Sequence, residues 1–436
     1  MVRGRTISAV DATKACLERI ERLDSKLHAF HVVRAEKALA EAASVDDRRD
    51  LSDLPLAGVP VSIKDNFNVA GEPTRVGSRA TSDAPAKADD VAVRRLKDAG
   101  AVVIGKTTLP EMAIFGFTET AFAISRNPWN PQRSPGGSSG GAGVAVATGM
   151  SPLALGSDGL GSIRIPATFC GVFALKPTRG RLPLMGDLAE HWFSLSVSAP
   201  IAATVGDAAL MIDVLGGTTT FRDVMMPAKK LRIAVSMKPP TFLASLEQPI
   251  SDAVNASVAT LREAGHSVIE SDPPYPLSLP NNVLRLWAAG VGQDVKNLDW
   301  TDLEKRTQTM VRLGRLLGPA PPKALDRWAS AASSWFRDFD VALMPCVAHA
   351  SIPAGVWYGR GFVSTVLQQI RALPYTAPWN VAGFPAASVP AGIGPDGVPL
   401  SVQVVAPAGG DGLVLSVAAQ LEQLRPWPRF SPDAAR

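Results

Sequence analysis

Cysteine and histidine are scarce in this chain, with three of one and five of the other among 436 residues. Cys16, Cys170 and Cys346 lie far apart with no C-x-x-C spacing, which excludes a disulfide framework and a cysteine-built zinc site. The histidines form no metal-ligand spacing either, so no metal is implied. No run of eighteen apolar residues occurs, which leaves no candidate membrane-spanning helix. The charged start of the chain leads into an amphipathic segment rather than the apolar stretch of an export signal. A soluble, cytoplasmic protein is expected. Charge of one sign is also missing: 44 basic and 40 acidic residues are interspersed, so no basic face for nucleic acid is implied. There is no internal repeat and no obvious linker. What remains is a chain with 46% hydrophobic and 19% charged residues, enough apolar material for a packed core and far from a disordered composition.

Local patterns give α/β grammar. Ser8 followed by Asp11 is a capping-box pattern, and Val10, Leu17 and Ile20 recur at helical spacing through about residue 23. A second helix is expected over 34–43. Residues 58–64 alternate, with Val59, Val61 and Ile63 on one face and Pro60, Ser62 and Lys64 on the other, which predicts a strand ending at Lys64. A helix over 89–99 and a short buried strand over 100–105 follow. A helix is predicted over 163–174, where Pro166 is tolerated in the first turn, so that Ser162 stands at its start. Helices over 204–215, 251–264 and 413–424 and strands over 340–345, 385–390 and 400–405 complete the reading, the last two joined at a turn through Asp396 and Gly397. The middle of the chain, about 220–335, is uninformative.

Two segments stand out: 127–141, Asn-Pro-Trp-Asn-Pro-Gln-Arg-Ser-Pro-Gly-Gly-Ser-Ser-Gly-Gly, and 156–167, Gly-Ser-Asp-Gly-Leu-Gly-Ser-Ile-Arg-Ile-Pro-Ala. A Gly/Ser-rich stretch is by default a flexible loop. Here two such stretches occur with Gly-Val-Pro-Val-Ser-Ile-Lys-Asp at 58–65, and together they closely resemble the amidase-signature family. The resemblance continues through 170–171, 175–180, 340–345, 380–385 and 402–405, and covers nearly the whole chain outside about 220–335.

The resemblance implies one α/β domain over 1–436, a large mixed, mainly parallel sheet covered by helices on both faces. Its signature core would span 58–180, with a variable lid or substrate-channel insertion at 220–335. It implies an amidase that cleaves carboxamide bonds through an acyl-enzyme, with Ser162 as nucleophile, Ser138 as a bridging serine in a cis peptide and Lys64 as base. No cofactor is implied. Physically, a serine hydroxyl needs a base to take its proton, and a lysine serves only where burial keeps it neutral. The backbone N–H groups of Gly159, Leu160, Gly161 and Ser162 are the expected oxyanion donors. Leu160 departs from the family, which commonly has glycine there. Met112, Phe115, Phe117, Phe122 and Trp379 are expected to border the substrate, and their apolar character favours aryl or alkyl amides, with carbamates (a urethanase-like activity) and esters chemically adjacent. The expected partner is therefore a small-molecule amide or carbamate, acted on by a monomer or homodimer.

Other readings remain. Asp158 and Arg164 read as structural partners, and Trp287, Trp300, Trp328 and Trp335 as core, with a few of these four open as the lining of an apolar pocket. Gly137 to Gly141 also fits G-x-S-x-G with Ser139 at its centre, though Ser134-Pro135 makes a poor preceding strand. The glutaminase subunit of a tRNA-dependent amidotransferase shares the signature, and a non-catalytic binding protein disarmed by Leu160 is the rival of another class.

Overall fold

The structure, a computed structural model, describes residues 1–222 and 229–434. The expected insertion at 220–335 therefore falls partly, at 223–228, outside the described residues. The strands in chain order are β1 (Phe30–Val33), β2 (Pro60–Lys64), β3 (Val102–Thr107), β4 (Leu153–Asp158), β5 (Phe173–Lys176) and β6 (Val197–Ala202). Then come β7 (Arg232–Val235), β8 (Ser267–Glu270), β9 (Val341–Pro345), β10 (Ala386–Ile393) and β11 (Pro399–Val405). Among the described residues they form one 11-stranded sheet, ordered β1-β3-β2-β4-β6-β5-β10-β11-β9-β7-β8.

The sheet is mixed, as expected, but parallel pairing does not dominate it. Only β2–β3, β2–β4, β7–β8 and β7–β9 are parallel, and the other six ladders are antiparallel. Parallel neighbours need a crossover connection, whereas β10 returns directly into β11 through the turn at 394–398, with Gly397 at φ 79°. β6, β5, β10 and β11, each antiparallel to its neighbours, join the two parallel groups.

Alternation sets what each face does. Val61 and Ile63 of β2 enter one apolar layer with Leu153 and Leu155 of β4, and with Val402 and Val404 of β11. Ala154, Ala174, Ala199 and Ile201 enter the layer on the opposite face with the helices Ala9–Leu27 and Gly140–Ala147. Lys64 is out of phase with Val61 and Ile63, so it leaves β2 on the second face, where it is fully buried.

The first helix begins at the expected capping box, where Ser8 Oγ accepts from Asp11 N–H and the Asp11 carboxylate accepts from Ser8 N–H. The helix predicted over 163–174 is shorter. Arg164–Cys170 ends at Gly171 in the left-handed conformation (φ 69°), and the following residues turn into β5. Residues 140–147 are helical despite their glycines. A Cβ at Gly140 would overlap Thr118 Oγ1 and one at Gly141 would overlap Ala29 O, so close packing of the helix needs these glycines. Between 279 and 335, three helices, Leu279–Asp294, Lys305–Leu317 and Pro322–Trp335, form a third apolar cluster together with residues 112–117 and 357–384. Among the described residues no helix is long and apolar enough to cross a membrane.

Candidate active site

Three chain segments converge at the C-terminal ends of β2 and β4. β2 carries Lys64, the loop before helix Gly140–Ala147 carries Ser138, and the turn after β4 carries 159–162. Lys64 Nζ lies 2.7 Å from Ser138 Oγ and 3.0 Å from Ser157 Oγ, with the Ser157 carbonyl at 3.4 Å. Burial lowers the lysine pKa from 10.5 to about 7, against a smaller upward pull from Asp158. The neutral amine thus becomes available from about pH 7 upward. A neutral amine has two N–H bonds to give and one lone pair. With Ser157 taking the hydrogens, the lone pair can face the Ser138 hydroxyl.

The Gly137–Ser138 peptide is cis. Ser139 N–H donates to the Ser162 carbonyl at 2.9 Å, which ties the loop bearing Ser138 to the turn bearing Ser162. The Ser162 hydroxyl has no hydrogen-bond partner among the described residues, and it borders a cavity. Ser139 is different: its hydroxyl is fully buried and donates to the Ser157 carbonyl at 3.3 Å, so the G-x-S-x-G alternative finds no exposed nucleophile.

An ion pair shapes the turn. The Asp158 carboxylate receives Arg164 Nε and Nη2 at 3.0 Å each, and Asn380 Nδ2 at 2.8 Å. Although buried, it is held at a pKa of about 2 by the guanidinium and these donors. Its Oδ1 also accepts Gly161 N–H at 2.7 Å. This corrects one expectation: Gly161 N–H is already bonded, while the N–H groups of Gly159, Leu160 and Ser162 have no acceptor among the described residues. On the outer side, Thr376 Oγ1 donates to the Leu160 carbonyl at 2.7 Å. Gly161 sits at φ +123°, and a Cβ there would overlap Thr376 Oγ1. The turn is therefore gripped from both sides. Asp158 and Arg164 act through this grip, as structural partners.

The amidase family model matches residues 11–415. The chain belongs to the amidase-signature family. AmiB2 of Mycobacterium tuberculosis is 42% identical over 100% of this chain and 96% of its own. An acylamidase of Rhodococcus erythropolis is 31% identical over 99% of this chain and 95% of that protein. The solved structure of a 6-aminohexanoate cyclic dimer hydrolase superposes with a TM-score of 0.89 at 29% identity, covering 100% of this chain and 97% of that one. This protein is an amide-hydrolysing enzyme.

The amidase's cavity beside Ser162 has a volume of about 140 Å³ and is walled by Phe115, Leu160, Ile165 and Leu373 near the serine. Leu279, Val283, Leu284 and Trp287 come from one helix, and Val366, Gln369 and Ile370 from helix Phe362–Ala372. Of the expected substrate contacts, only Phe115 lines it. Met112 is buried within the turn Glu111–Ala113. Phe117 is sandwiched between Phe115 (ring centroids 5.3 Å) and Trp357 (4.8 Å) and supports the wall from behind. Trp379 is fully buried among Trp328, Phe336 and Phe384, and Phe122 lies at the surface against His31 and Arg75. Aromatic character alone could not separate a pocket wall from the layer behind it. Trp328 is core, and Trp287, also buried, lines the apolar cavity. Ser157, inside the segment 156–167, and its partner Asn66, directly after the segment 58–65, were not singled out from sequence. Asn66 Nδ2 donates to Ser157 Oγ at 3.0 Å and so helps fix the lysine's neighbour.

Proposed function

We propose that this amidase hydrolyses aryl or alkyl carboxamides through an acyl-enzyme on Ser162, with Lys64 as base and Ser138 as proton relay. Carbamates and simple esters are secondary substrates. The observation that carries the reading is the 2.7 Å contact between Ser138 Oγ and a buried Lys64 whose pKa is lowered to about 7. Lys64 Nζ takes the Ser138 proton while Ser138 takes that of Ser162, and Ser162 Oγ bonds to the carbonyl carbon. The carbonyl π-electrons move onto oxygen, which is held by the N–H groups of Gly159, Leu160 and Ser162. Collapse breaks the C–N bond, and the amine leaves with the proton returned through Ser138. Water, deprotonated along the same route, then releases the acid and restores Ser162. No organic cofactor or metal has a step in this scheme.

The apolar cavity wall supports an aryl or alkyl substrate, and the name of the Rhodococcus relative agrees with it. Among the described residues no Asp, Glu, Lys or Arg lines the cavity, so nothing there would pair with the ammonium and carboxylate of glutamine. That disfavours the glutaminase alternative, which ammonia release from glutamine would test directly. We assign 58–180 as the catalytic core and the helices within 220–335 as lid and channel wall. Three buried free thiols suit a reducing, cytoplasmic setting. The test is fluorophosphonate labelling with peptide mapping, beside kinetics on anilide, alkyl amide, carbamate and ester panels. Label on Ser162, absent in Ser162→Ala together with all but a trace of turnover, is expected. A variant keeping more than about a tenth of kcat would move the nucleophile elsewhere.

A further inference from the structure

The segment 191–196 leads into β6, which pairs with the end of β4, so it runs beside the turn that follows β4. Its Trp192 is buried between two glycines. A Cβ at Gly159 would lie 3.0 Å from Trp192 Cε3 and Cζ3 and 3.3 Å from Ser196 Oγ, and a Cβ at Gly290 would overlap Trp192 Cγ and Cδ1. The indole is therefore wedged between the first oxyanion donor and the helix Leu279–Asp294, which also walls the cavity at Val283 and Trp287. The same helix fixes the wedge. Asp294, its last residue, accepts Trp192 Nε1–H at 2.7 Å on one carboxylate oxygen and bonds His191 Nε2 at 3.0 Å on the other. An ionised carboxylate only accepts, so His191 Nε2 is the donor, and Nδ1 of the same ring meets Ser196 Oγ at 2.7 Å. The imidazole stacks on the indole with ring centroids 5.3 Å apart.

The backbone shows how firmly this clasp is set. Trp192, Phe193 and Ser194 stand at φ 51°, 54° and 62°, consecutive non-glycine residues in the left-handed region. Such a conformation persists only where surrounding contacts hold it, and it gathers at functional sites. Here those contacts are the Asp294 clasp, the bond from Leu195 N–H to the Trp192 carbonyl at 3.1 Å, and Asn380 Nδ2, which donates both to the Leu195 carbonyl at 3.1 Å and to Asp158. The grip of Asp158 and Thr376 acts on Gly161 and Leu160, whereas Gly159 is met by the indole ring.

We infer that Trp192 is a positioning residue for the oxyanion donors, held to that task by Asp294. The indole backs Gly159 so that its N–H keeps its aim as charge develops on the carbonyl oxygen. Asp294 sets the indole from the helix that walls the cavity, which makes the aim of the donor depend on how that helix is docked. The inference rests on the proposed role of Gly159 N–H as a donor to that oxygen.

The test compares wild type with Trp192→Ala, Asp294→Ala, the double variant and Asp294→Asn. Three quantities are read: kcat and KM for p-nitroacetanilide, inhibition by trifluoroacetophenone, whose adduct on Ser162 carries the oxyanion, and affinity for p-nitroacetanilide in the same variants combined with Ser162→Ala. Trp192→Ala is expected to lower kcat about tenfold, short of the ~10²-fold of a donor removed outright, and to weaken the ketone by the same factor. KM and the affinity in the Ser162→Ala background should stay within about twofold, because the ground state makes little use of these donors. Asp294→Ala removes the anchor and leaves the ring, and should lower kcat about threefold; the double variant should be slower than wild type by about tenfold rather than thirtyfold, since both changes act on one contact. Asp294→Asn still accepts the indole N–H and should restore kcat to within about twofold of wild type. If Trp192→Ala does not fold, the two single Asp294 variants carry the comparison. The inference is overturned if kcat is unchanged in the alanine variants, or if their losses multiply. It is overturned equally if ketone inhibition falls only as far as ground-state affinity, since Trp192 would then be packing alone. Failure of the underlying reading also ends the inference and is recognised without these variants, as p-nitroacetanilide turnover by Ser162→Ala or as a ketone that binds wild type no tighter than the anilide.

Discussion

Replacing Lys64 by methionine should abolish activity and yet stabilise the folded protein at neutral pH. In the fold the lysine pKa falls from 10.5 to about 7 because the side chain is entirely buried. Each unit is worth about 1.4 kcal/mol, so keeping this amine inside costs roughly 5 kcal/mol at and below pH 7. Methionine has a similar length and no charge to desolvate. It forfeits the contacts with Ser138 and Ser157, at about 1 kcal/mol each. Lys64→Met is therefore expected to be more stable than wild type by roughly 3 kcal/mol at pH 7.

The sign reverses with pH. A depressed folded-state pKa means that the unfolded chain binds more protons between about pH 7 and 10, so wild-type stability rises across that window while the contribution of methionine stays flat. By pH 10 most of the burial cost has gone, and the variant should be the less stable by roughly 1 kcal/mol. Lys176 supplies the control. It is buried with a pKa also lowered to about 7, chiefly by burial, but among the described residues its Nζ donates only to the Pro177 carbonyl, at 3.0 Å. Lys176→Met should show a similar stability change with activity intact. Thermal melts from pH 6 to 10 on the three proteins, with anilide turnover beside them, are the assay. If Lys64→Met melted below wild type at pH 7, with a difference independent of pH, the amine would be charged and paired in the native state. The neutral-base argument would then fail.

Further outcomes follow from the same geometry. Below about pH 7, kcat/KM should fall roughly tenfold per unit and level off above it, because the base form of Lys64 is being titrated; a flat profile from pH 5.5 to 9 would contradict this. Asp158→Asn leaves the buried Arg164 without its counter-charge and should cost about 3 kcal/mol in denaturant unfolding, a loss too large for a surface pair. In Leu160→Gly, the turn is still held by Asp158 at Gly161 and by Thr376 at the 160 carbonyl, so the donors stay in place while the pocket widens. Bulky acyl anilides should gain and acetyl substrates stay within about twofold; an equal gain on all substrates, up to the ~10²-fold of one oxyanion donor, would mean that the leucine tilts an N–H away.

How much of this was legible depends on whether a residue's role is local. The capping box at Ser8, the phase of Val61, Ile63 and Lys64, and the turn at Gly397 are all decided within a few residues, and each stands where the pattern puts it. β6 was invisible because Pro200 lies inside Val197–Ala202, and proline argues against a paired strand on sequence grounds. β4 was hidden for a different reason: Leu153–Asp158 is buried throughout, so it lacks the alternation that betrays a half-exposed strand. The Gly140–Ala147 helix looks like a loop because its glycines answer to neighbours such as Thr118 and Ala29, which are distant in sequence.

The candidate site divides along the same line. Lys64, Ser138 and Ser162 were singled out because their segments carry distinctive strings, and the structure brings Lys64 Nζ within 2.7 Å of Ser138 Oγ. The cavity wall carried no such string. Val283, Trp287, Gln369 and Leu373 come from helices whose apolar positions look like any other core face, and only the packing of those helices over the end of β4 turns some of them toward Ser162. Reaction type is thus written in short, rigid turns at strand ends, where a few atoms must lie within hydrogen-bond reach of one another. Substrate choice is distributed over helix faces, where many residues could serve and none is required by the chemistry. This is why Met112, Phe117 and Trp379, chosen for aromatic or apolar character near the signature, proved to be the layer behind the wall rather than the wall itself.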